Sequence, residues 1–332
     1  MTRKGWLLFA AMSVIWGIPY LLIKVAVDAG ISAPVLAFAR SAAGAVVLVP
    51  LVWRHGPRGA PRSALPALRA HWRPVALFAA GEMIGPYFLL SDAERRLSSS
   101  LSGLLIAAVP IIGAAAGRFL GDRERLGTAR WLGLAAGFAG VAVLGGPHLS
   151  GGTAWPVTEV LLVALCYAIS PMVAARHLHD VPELPMTAAC LAAAALCYAP
   201  LAAMTWPHHM PPARVLAAMG VLALVCTAAA FVLYLKLIAE AGARRAVVIT
   251  YVNPAVAVVA GAALLGEPLS VSVAVSFALI LGGSLLAASP GGEAPQNSAS
   301  PGGEAPQNPQ PAVVPAVASR GRGGREGLPR AA

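Results

Sequence analysis

The chain contains ten long apolar stretches, and this feature most restricts how it can fold. Only 11% of the 332 residues are charged, against roughly 25% in soluble proteins. A continuous apolar run of about 18 residues crosses roughly 30 Å of hydrocarbon as a helix, whereas barrel strands would alternate apolar and polar residues. Ten such runs would leave a soluble globule too little polar surface. We therefore predict an all-α polytopic membrane protein with ten transmembrane helices at Trp6–Val27, Pro34–Trp53, Pro74–Leu90, Ser99–Leu120, Thr128–Gly145, Pro156–Ala175, Met186–Met204, Ala213–Leu237, Ala246–Gly266 and Ser270–Ala288.

The basic residues lie mostly on one side of these predicted helices. With the N-terminus in the cytoplasm, 17 of the 24 Lys and Arg residues fall inside and 3 fall outside, while Lys24, Arg40, Arg118 and Lys236 lie within runs. Basic connections are retained preferentially in the cytoplasm. The pattern predicts a plasma-membrane protein (bacterial inner membrane) with both termini cytoplasmic. It also accounts for the net charge of +10 without a nucleic-acid partner.

Two segments of the chain share one arrangement of proline, glycine and acid. In each, an apolar run is broken by a proline, Pro110 or Pro254, and is followed by Gly-Asp or Gly-Glu and a second run. The two residue numbers differ by 144, and the halves that contain them, 1–146 and 154–288, have five runs each. An odd number of runs inverts the second half relative to the first. Paired, interrupted helices in inverted repeats indicate the substrate site of a secondary transporter.

The remaining sequence predicts no cofactor or metal site. The four cysteines lie within runs and have no zinc-site spacing, and no phosphate loop is present. Residues 289–332 are rich in Pro, Gly, Ser and Gln, so we predict a disordered cytoplasmic tail. Glycines at every fourth position (Gly113, Gly117 and Gly121, and Gly133 and Gly137) let membrane helices approach closely. We expect them to pack within the chain, and a homodimer is the alternative.

Three short motifs carry a family resemblance. They are Trp16-Gly17-x-x-Tyr20-x-x-x-Lys24, then Ala93-Glu94-Arg95-Arg96-Leu97-Ser98-Ser99-Ser100 leading to Pro110, and Ala241-Gly242-Ala243-Arg244-Arg245-Ala246 leading to Tyr251-x-Asn253-Pro254 and Gly266-Glu267. They resemble motifs of EamA-type members of the drug/metabolite transporter superfamily, over about residues 5–288. The resemblance implies two inverted five-helix EamA repeats, a central cavity, and alternating-access transport of small metabolites or drugs, usually outward. One departure is Tyr167 in the sixth run, where the first run has Trp16.

Glu82 is the strongest candidate for a residue that takes part in transport. It lies near the middle of the third run, about 13 Å from the outer end at 1.5 Å per residue, beyond the reach of its short side chain to water. A charge near the centre of a membrane helix costs roughly 2.5–3.5 kcal/mol on insertion scales, so it usually has a function. Desolvation favours the protonated carboxyl, which suits Glu82 to bind and release a proton. A hydrogen-bonded structural acid is the alternative.

Arg40 and Lys24 are basic residues within the first two runs. Arg40 lies about 9 Å from the outer end of its run, at nearly the depth of Glu82. We hypothesise an Arg40–Glu82 ion pair, or alternatively a bond from Arg40 to a substrate carboxylate. Lys24 shares one helix face with Trp16 and Tyr20, at intervals of four residues. This face either lines a cavity or packs, and Lys24 alternatively extends to the membrane surface.

Pro110 and Pro254 each remove a backbone N–H inside a membrane helix and leave a carbonyl without its partner. We expect the freed groups to face a polar cavity, with Tyr251 and Asn253 beside the second proline. A hinge, or a kink without a ligand role, is the alternative reading of both prolines.

These features together predict a secondary active transporter that exports small amino-acid-like or drug-like metabolites and is coupled to protons or to another gradient. The expected partners are a small-molecule substrate, protons and the lipid bilayer. An uncoupled facilitative carrier is the alternative. A polytopic membrane enzyme is less favoured, because the runs contain no paired nucleophile and base.

Overall fold

The computed structural model describes residues 2–55, 60–119, 127–149, 154–242, 246 and 248–287. Every regular element in these ranges is helical, as the apolar runs predict. The predicted tail, 289–332, and the predicted cytoplasmic connection that contains Asp122 lie outside the described residues.

The first half of the chain supplies five long apolar helices, several of which are made of more than one element. In chain order the elements are α1 (Arg3–Gly17), α2 (Pro19–Asp28), α3 (Ala33–His55), α4 (Ala60–Ala70), α5 (Trp72–Ala79), the π-helical segment π1 (Ala80–Ile84), α6 (Gly85–Ala93), α7 (Ser99–Ile106), α8 (Val109–Phe119) and α9 (Thr128–Leu149). The short helix α4 lies in the basic connection after α3.

The second half follows the same plan. Its elements are α10 (Ala154–His177), α11 (Glu183–Met204), α12 (Ala213–Gly220), the π-helical segment π2 (Val221–Ala229), α13 (Ala230–Ala241), α14 (Ile249–Leu265) and α15 (Val271–Ala287).

Eight of the ten predicted transmembrane helices are confirmed as helices long and apolar enough to cross a membrane. The last two, α14 and α15, are apolar but shorter, at 17 residues each. At a rise of 1.5 Å per residue, 17 residues extend about 25 Å, slightly less than the roughly 30 Å of a hydrocarbon core.

Six tryptophans lie at or near the ends of the long helices with more than half of their surface exposed. Tryptophan is enriched at both membrane–water interfaces, because its ring is apolar and its N–H is polar. Their placement therefore supports a membrane slab across the helix bundle. The six residues are Trp6, Trp53, Trp72, Trp131, Trp155 and Trp206.

The helix of the fourth run is interrupted just before Pro110. α7 ends at Ile106, α8 begins at Val109, and the N–H groups of Ala107 and Ala108 bond carbonyls three residues earlier. The hydroxyl of Ser284 in α15 donates to the Ala107 carbonyl at 3.2 Å. A neighbouring helix thus satisfies a carbonyl at the interruption, as the absence of water inside a membrane requires.

Pro254 does not interrupt its helix, contrary to the predicted break. α14 runs from Ile249 to Leu265 without a gap, and Pro254 is its sixth residue. A proline this close to the start of a helix removes only one backbone hydrogen bond, so the helix continues through it. The first apolar helix instead has an unpredicted interruption, at Ile18 before Pro19.

Each half contains one π-helical segment, in its third long helix. Pro110 and Pro254 are 144 residues apart. The residues of π1, 80–84, have their counterparts at the same interval in residues 224–228, which lie within π2. π-Helical turns are rare and are often found at functional sites. Neither segment was predicted from the sequence, and both border the polar residues described below.

The glycines of α9 pack within the chain. A Cβ atom placed on Gly283 of α15 would lie 2.6 Å from both the Gly133 carbonyl oxygen and the Gly137 nitrogen. The two backbones therefore touch, which is the close approach that small residues allow in membranes.

Candidate functional site

Arg40 is held between the two halves by a hydrogen bond and a ring contact. Its Nε donates to the Thr227 hydroxyl of π2 at 2.8 Å, and its guanidinium carbon lies 3.9 Å from the centre of the Tyr87 ring. The Thr227 hydroxyl in turn donates to the Leu222 carbonyl at 2.9 Å, five residues earlier. A hydroxyl that bonds into the backbone ladder is one cause of irregular helix geometry. Thr227 thus links the π-helical geometry to the position of Arg40.

Glu82 lies inside π1, and its carboxyl is not bound to Arg40. Among the described residues no ion pair joins these two side chains. The hypothesised Arg40–Glu82 pair is therefore wrong for this conformation, because Thr227 and the Tyr87 ring hold the guanidinium. Oε2 of Glu82 is buried and has no hydrogen-bond partner in the described part of the chain. A buried polar atom of this kind is costly unless it is protonated or bound by a ligand.

The geometry of π1 has an identifiable cause two residues further on. Pro86 has no N–H, so the ordinary ladder of bonds to the fourth preceding residue cannot continue through it. The Gly85 N–H bonds instead to the Ala80 carbonyl, five residues earlier. The Tyr198 hydroxyl of α11 donates to the Ile84 carbonyl. Pro86 lies in a predicted apolar run, as Pro110 and Pro254 do, so it was a sequence signal for this irregularity.

Three tyrosines surround these charged groups. Tyr20, Tyr87 and Tyr167 lie within electrostatic range of Arg40, and the last two are also within range of Glu82. They come from α2, α6 and α10, so both halves contribute phenol groups. The resulting cluster, here called the Arg40 cluster, combines one guanidinium, one carboxyl and three phenols inside the bundle.

The predicted face of Trp16, Tyr20 and Lys24 does not form one continuous lining. Trp16 packs against Tyr234, with ring centres 4.7 Å apart, and edge-on against Phe231 of α13. Tyr20 is buried in the main apolar core, on the other side of the interruption at Ile18. Trp16 and Tyr20 thus agree with the packing alternative, and the interruption at Ile18 is the reason that the three side chains do not share one straight helix face.

Lys24 reaches a polar network at the end of α2 rather than the Arg40 cluster. Its Nζ lies 2.8 Å from Asp28 Oδ1 and donates to the Glu94 carbonyl oxygen at 2.9 Å. This placement agrees with the alternative in which the side chain extends towards the membrane surface.

The polar residues beside Pro254 have mainly backbone partners. The Asn253 amide, oriented to satisfy its neighbours, donates to the Ser13 carbonyl at 3.1 Å and to the Ile249 carbonyl at 2.9 Å. Asn253 therefore ties α14 to α1. Tyr251 is half-buried in the first turn of α14.

The structure adds three acids that sequence reasoning did not select. Glu159 is almost fully buried in α10, and its place within a predicted apolar run is a sequence signal for a functional acid. Glu94 and Glu267 lie in short connections, where acids are usually hydrated. Only the tertiary structure shows that Glu94 is buried and that Glu267 is bound to α7.

An apolar groove lies elsewhere, between α14 and α15. Its cavity volume is about 290 Å³, and it is bordered by Val259, Leu269, Ser270 and Phe277, among others. It borders none of the predicted site residues, so the ionisable groups of the Arg40 cluster remain the better site.

Replacing Thr227 by valine tests the contact between the halves. Valine has nearly the same shape, but Arg40 would lose its hydrogen bond, so we expect the free energy of unfolding to fall by about 1–2 kcal/mol. Thr187→Val is the matched control, because within the described part of the chain the Thr187 hydroxyl bonds only to the Glu183 carbonyl of its own helix. Unfolding by a denaturing detergent measures both variants. Equal losses in the two variants would contradict the assigned role of the Arg40–Thr227 bond.

The fold and the site define a multi-pass helical membrane protein with a polar cluster between two similar halves. Comparison with known proteins gives the family. The family model described as "EamA-like transporter family" matches residues 3–146 and again residues 155–289. The chain therefore belongs to the EamA-like transporter family and is a membrane transporter of small molecules. This confirms the resemblance noted in the sequence.

A solved structure described as "Crystal structure of protein" has a similar fold. It is 21% identical, with a TM-score of 0.60, and the likeness covers 87% of this chain and 98% of that one. At this identity the comparison supports the fold alone. Comparison with curated proteins finds no match.

Proposed function

We propose that this protein is a proton-coupled exporter of small metabolites that carry a carboxylate, operating by alternating access in the plasma membrane. The observation that carries the proposal is the Arg40 cluster. A guanidinium is fixed between the halves by Thr227 and Tyr87, and the Glu82 carboxyl nearby has a buried oxygen without a partner.

Arg40 is the proposed carboxylate-binding group. Its Nε is held by Thr227, which fixes the plane of the guanidinium. The terminal nitrogens of a guanidinium can bind a carboxylate with two parallel hydrogen bonds, a geometry that lysine cannot reproduce. The phenols of the cluster add hydroxyl groups for the rest of a polar or aromatic substrate.

Glu82 is the proposed proton carrier. Ionising a carboxyl that is buried inside the helix bundle is costly. Glu82 can therefore release its proton only in a conformation in which water reaches the carboxyl. Both termini are proposed to be cytoplasmic, and the halves 1–146 and 154–288 to be inverted repeats. The charge distribution and the double family match support that arrangement.

Transport by the purified protein in liposomes tests the proposal. The panel contains neutral and acidic amino acids, other small carboxylates, and cationic amphiphilic drugs. We expect the carboxylates to be transported and the cationic drugs to be excluded. Arg40→Lys keeps the charge but loses the paired hydrogen bonds, so the KM for a carboxylate substrate should rise about tenfold, the equivalent of 1.4 kcal/mol.

Two results would overturn parts of the proposal. Transport of the cationic drugs alone would exclude Arg40 as the binding group, because like charges repel. Transport of carboxylates at the same rate with and without a pH gradient would favour an uncoupled facilitative carrier, with Glu82 as a structural acid.

A further inference from the structure

Glu267, in the connection between α14 and α15, binds the N-terminus of α7. One carboxylate oxygen accepts from the Ser99 N–H at 2.7 Å and from the Ser99 hydroxyl at 2.9 Å. The other accepts from the Ser100 N–H at 2.9 Å and from the Ser100 hydroxyl. α7 belongs to the first half and Glu267 to the second. We name this contact the latch, and it consists of Glu267, Ser99 and Ser100.

Two glycines allow the latch to form. Gly266 ends α14 in the left-handed conformation, with φ +66°, and both its N–H and that of Glu267 bond to the Gly261 carbonyl. A Cβ atom on Gly261 would lie 2.4 Å from Glu267 Oε2. The chain therefore turns back at Gly266 and brings the carboxylate over a residue that has no side chain.

The Glu267 carboxylate is ionised while the latch is closed. Burial by itself raises the pKa of Glu267, but the hydrogen bonds from Ser100 and Ser99 outweigh it and hold that pKa below its usual value. The unpaired N–H groups at the start of a helix also favour a negative charge. Glu267 thus acts as an acidic cap supplied by the other half of the chain.

Glu94 is fully buried and lies within electrostatic range of the Glu267 carboxylate of the latch. Neither of its carboxyl oxygens has a hydrogen-bond partner within the described part of the chain. Lys24 bonds to the Glu94 backbone carbonyl and to Asp28, but not to the carboxyl. No hydrogen bond from the described residues compensates the buried Glu94 carboxyl, so its ionised form is disfavoured.

The charged groups around Glu94 come from α2 and from the latch itself. Burial raises the pKa of Glu94 well above its usual value, Lys24 opposes this in part, and the negative charges of Glu267 and Asp28 raise the pKa further. Tyr20 also faces Glu94 from α2.

The other charged groups near α6 have partners of their own. Arg95 pairs with Asp92, and Arg96 lies near Glu159 of α10. Glu94 and Glu267 are therefore the two acids whose charges compete at the latch.

We propose that Glu94 is a proton-binding site that controls the latch: Glu94 holds a proton while Glu267 binds α7, and loss of that proton to water at this end of the bundle opens the latch by repulsion between the two carboxylates. A metal ion fits less well, because the Lys24 ammonium would repel it. The site does not use Arg40 or Glu82, although Tyr20 of the Arg40 cluster faces Glu94. It adds a pH-sensitive gate to the proposed transport function.

The direction of the pH effect follows from the two carboxyls. The pKa of Glu94 is raised in the closed state, so its contribution to closure is complete at low pH and is lost as the pH rises through that raised pKa. The pKa of Glu267 is lowered, so its contribution is lost only when the pH falls through that lowered pKa. The latch should therefore be closed between these two limits and open above the upper one.

Backbone hydrogen exchange of the purified full-length protein in nanodiscs tests the proposal, over pH 5 to 9 and with correction for intrinsic exchange. The peptide that contains residues 97–106 reports on the Ser99 and Ser100 N–H groups. In the wild type we expect the protection of this peptide to fall at least about tenfold as the pH rises. A difference of one unit between the pKa of Glu94 in the closed and open states changes the closing equilibrium by this factor. Glu94→Gln, which stays neutral, should remain protected throughout, and Glu267→Gln should be unprotected throughout.

Asp28→Asn provides a variant that does not alter the buried acid. Asp28 is exposed, and removing its charge should shift the loss of protection to lower pH. Glu183→Gln, an exposed site on α11, should reproduce the wild type. The proposal is overturned if the wild type shows no pH dependence, or if Glu94→Gln retains it. Because exchange is measured without substrate, the outcome does not depend on whether the proposed transport is correct.

Discussion

Glu82→Gln should abolish substrate accumulation driven by a pH gradient. A gradient of one pH unit supplies about 1.4 kcal/mol for one proton, so the wild type should accumulate a carboxylate substrate about tenfold. Glutamine cannot exchange a proton, so the variant should reach only equal concentrations on both sides. Substrate exchange without a gradient should continue, because the Arg40 cluster keeps its guanidinium. Accumulation and exchange by reconstituted protein in liposomes measure the two activities separately.

Glu183→Gln is the matched control for Glu82→Gln. It makes the same chemical change at an exposed position on α11, and accumulation should stay at the wild-type value. If Glu82→Gln also accumulates substrate tenfold, Glu82 is a structural acid and another group carries the proton. Loss of both accumulation and exchange would instead show that Glu82 is needed for substrate binding or for folding.

Gly283→Val should destabilise the protein by at least about 3 kcal/mol, the upper end of typical overpacking costs. Its Cβ would lie 2.6 Å from two backbone atoms of α9, one of them in Gly133 and the other in Gly137. A side chain could rotate away from such a clash, but a backbone cannot, so the two helices would have to separate. Thermal unfolding in detergent, with yield of monodisperse protein, measures the effect.

The neighbouring residue provides the control for this prediction. A Cβ atom on Gly282 would have no heavy atom within 4 Å, so Gly282→Val should leave the melting temperature nearly unchanged. Similar losses in the two variants would mean that valine disturbs α15 itself, and the packing of α9 against α15 would not be the cause.

The proximity of Arg40 and Glu82 could be predicted from the sequence, but their contacts could not. The helical rise correctly brought Arg40 and Glu82 into one region, since both lie within electrostatic range of Tyr87. The partner of Arg40 is Thr227, 187 residues away, and nothing in the local pattern indicates that contact. Contacts between distant helices depend on how the helices rotate about their axes, which an almost uniformly apolar run does not specify.

Helix interruptions were predicted in part. Proline marks a place where a helix loses a hydrogen bond, and this principle identified Pro110. The outcome at each proline depends on its position in the helix and on its neighbours. Pro254 lies close enough to the start of α14 for the helix to continue through it. Pro86 instead follows the π-helical segment π1, where the Tyr198 hydroxyl donates to the Ile84 carbonyl.

The sequence by itself determined that the chain is an all-helical membrane protein of two similar halves and the family to which it belongs. The apolar runs are long, continuous and nearly free of charge. A segment of this kind in lipid must satisfy its own backbone hydrogen-bonding groups, which a helix does. The tertiary structure alone decided which polar groups are buried and what they touch. Glu94 and Glu267 occupy connections that look hydrated in the sequence, yet the packing of α2, α6 and α7 excludes water from one and gives the other four hydrogen-bond donors.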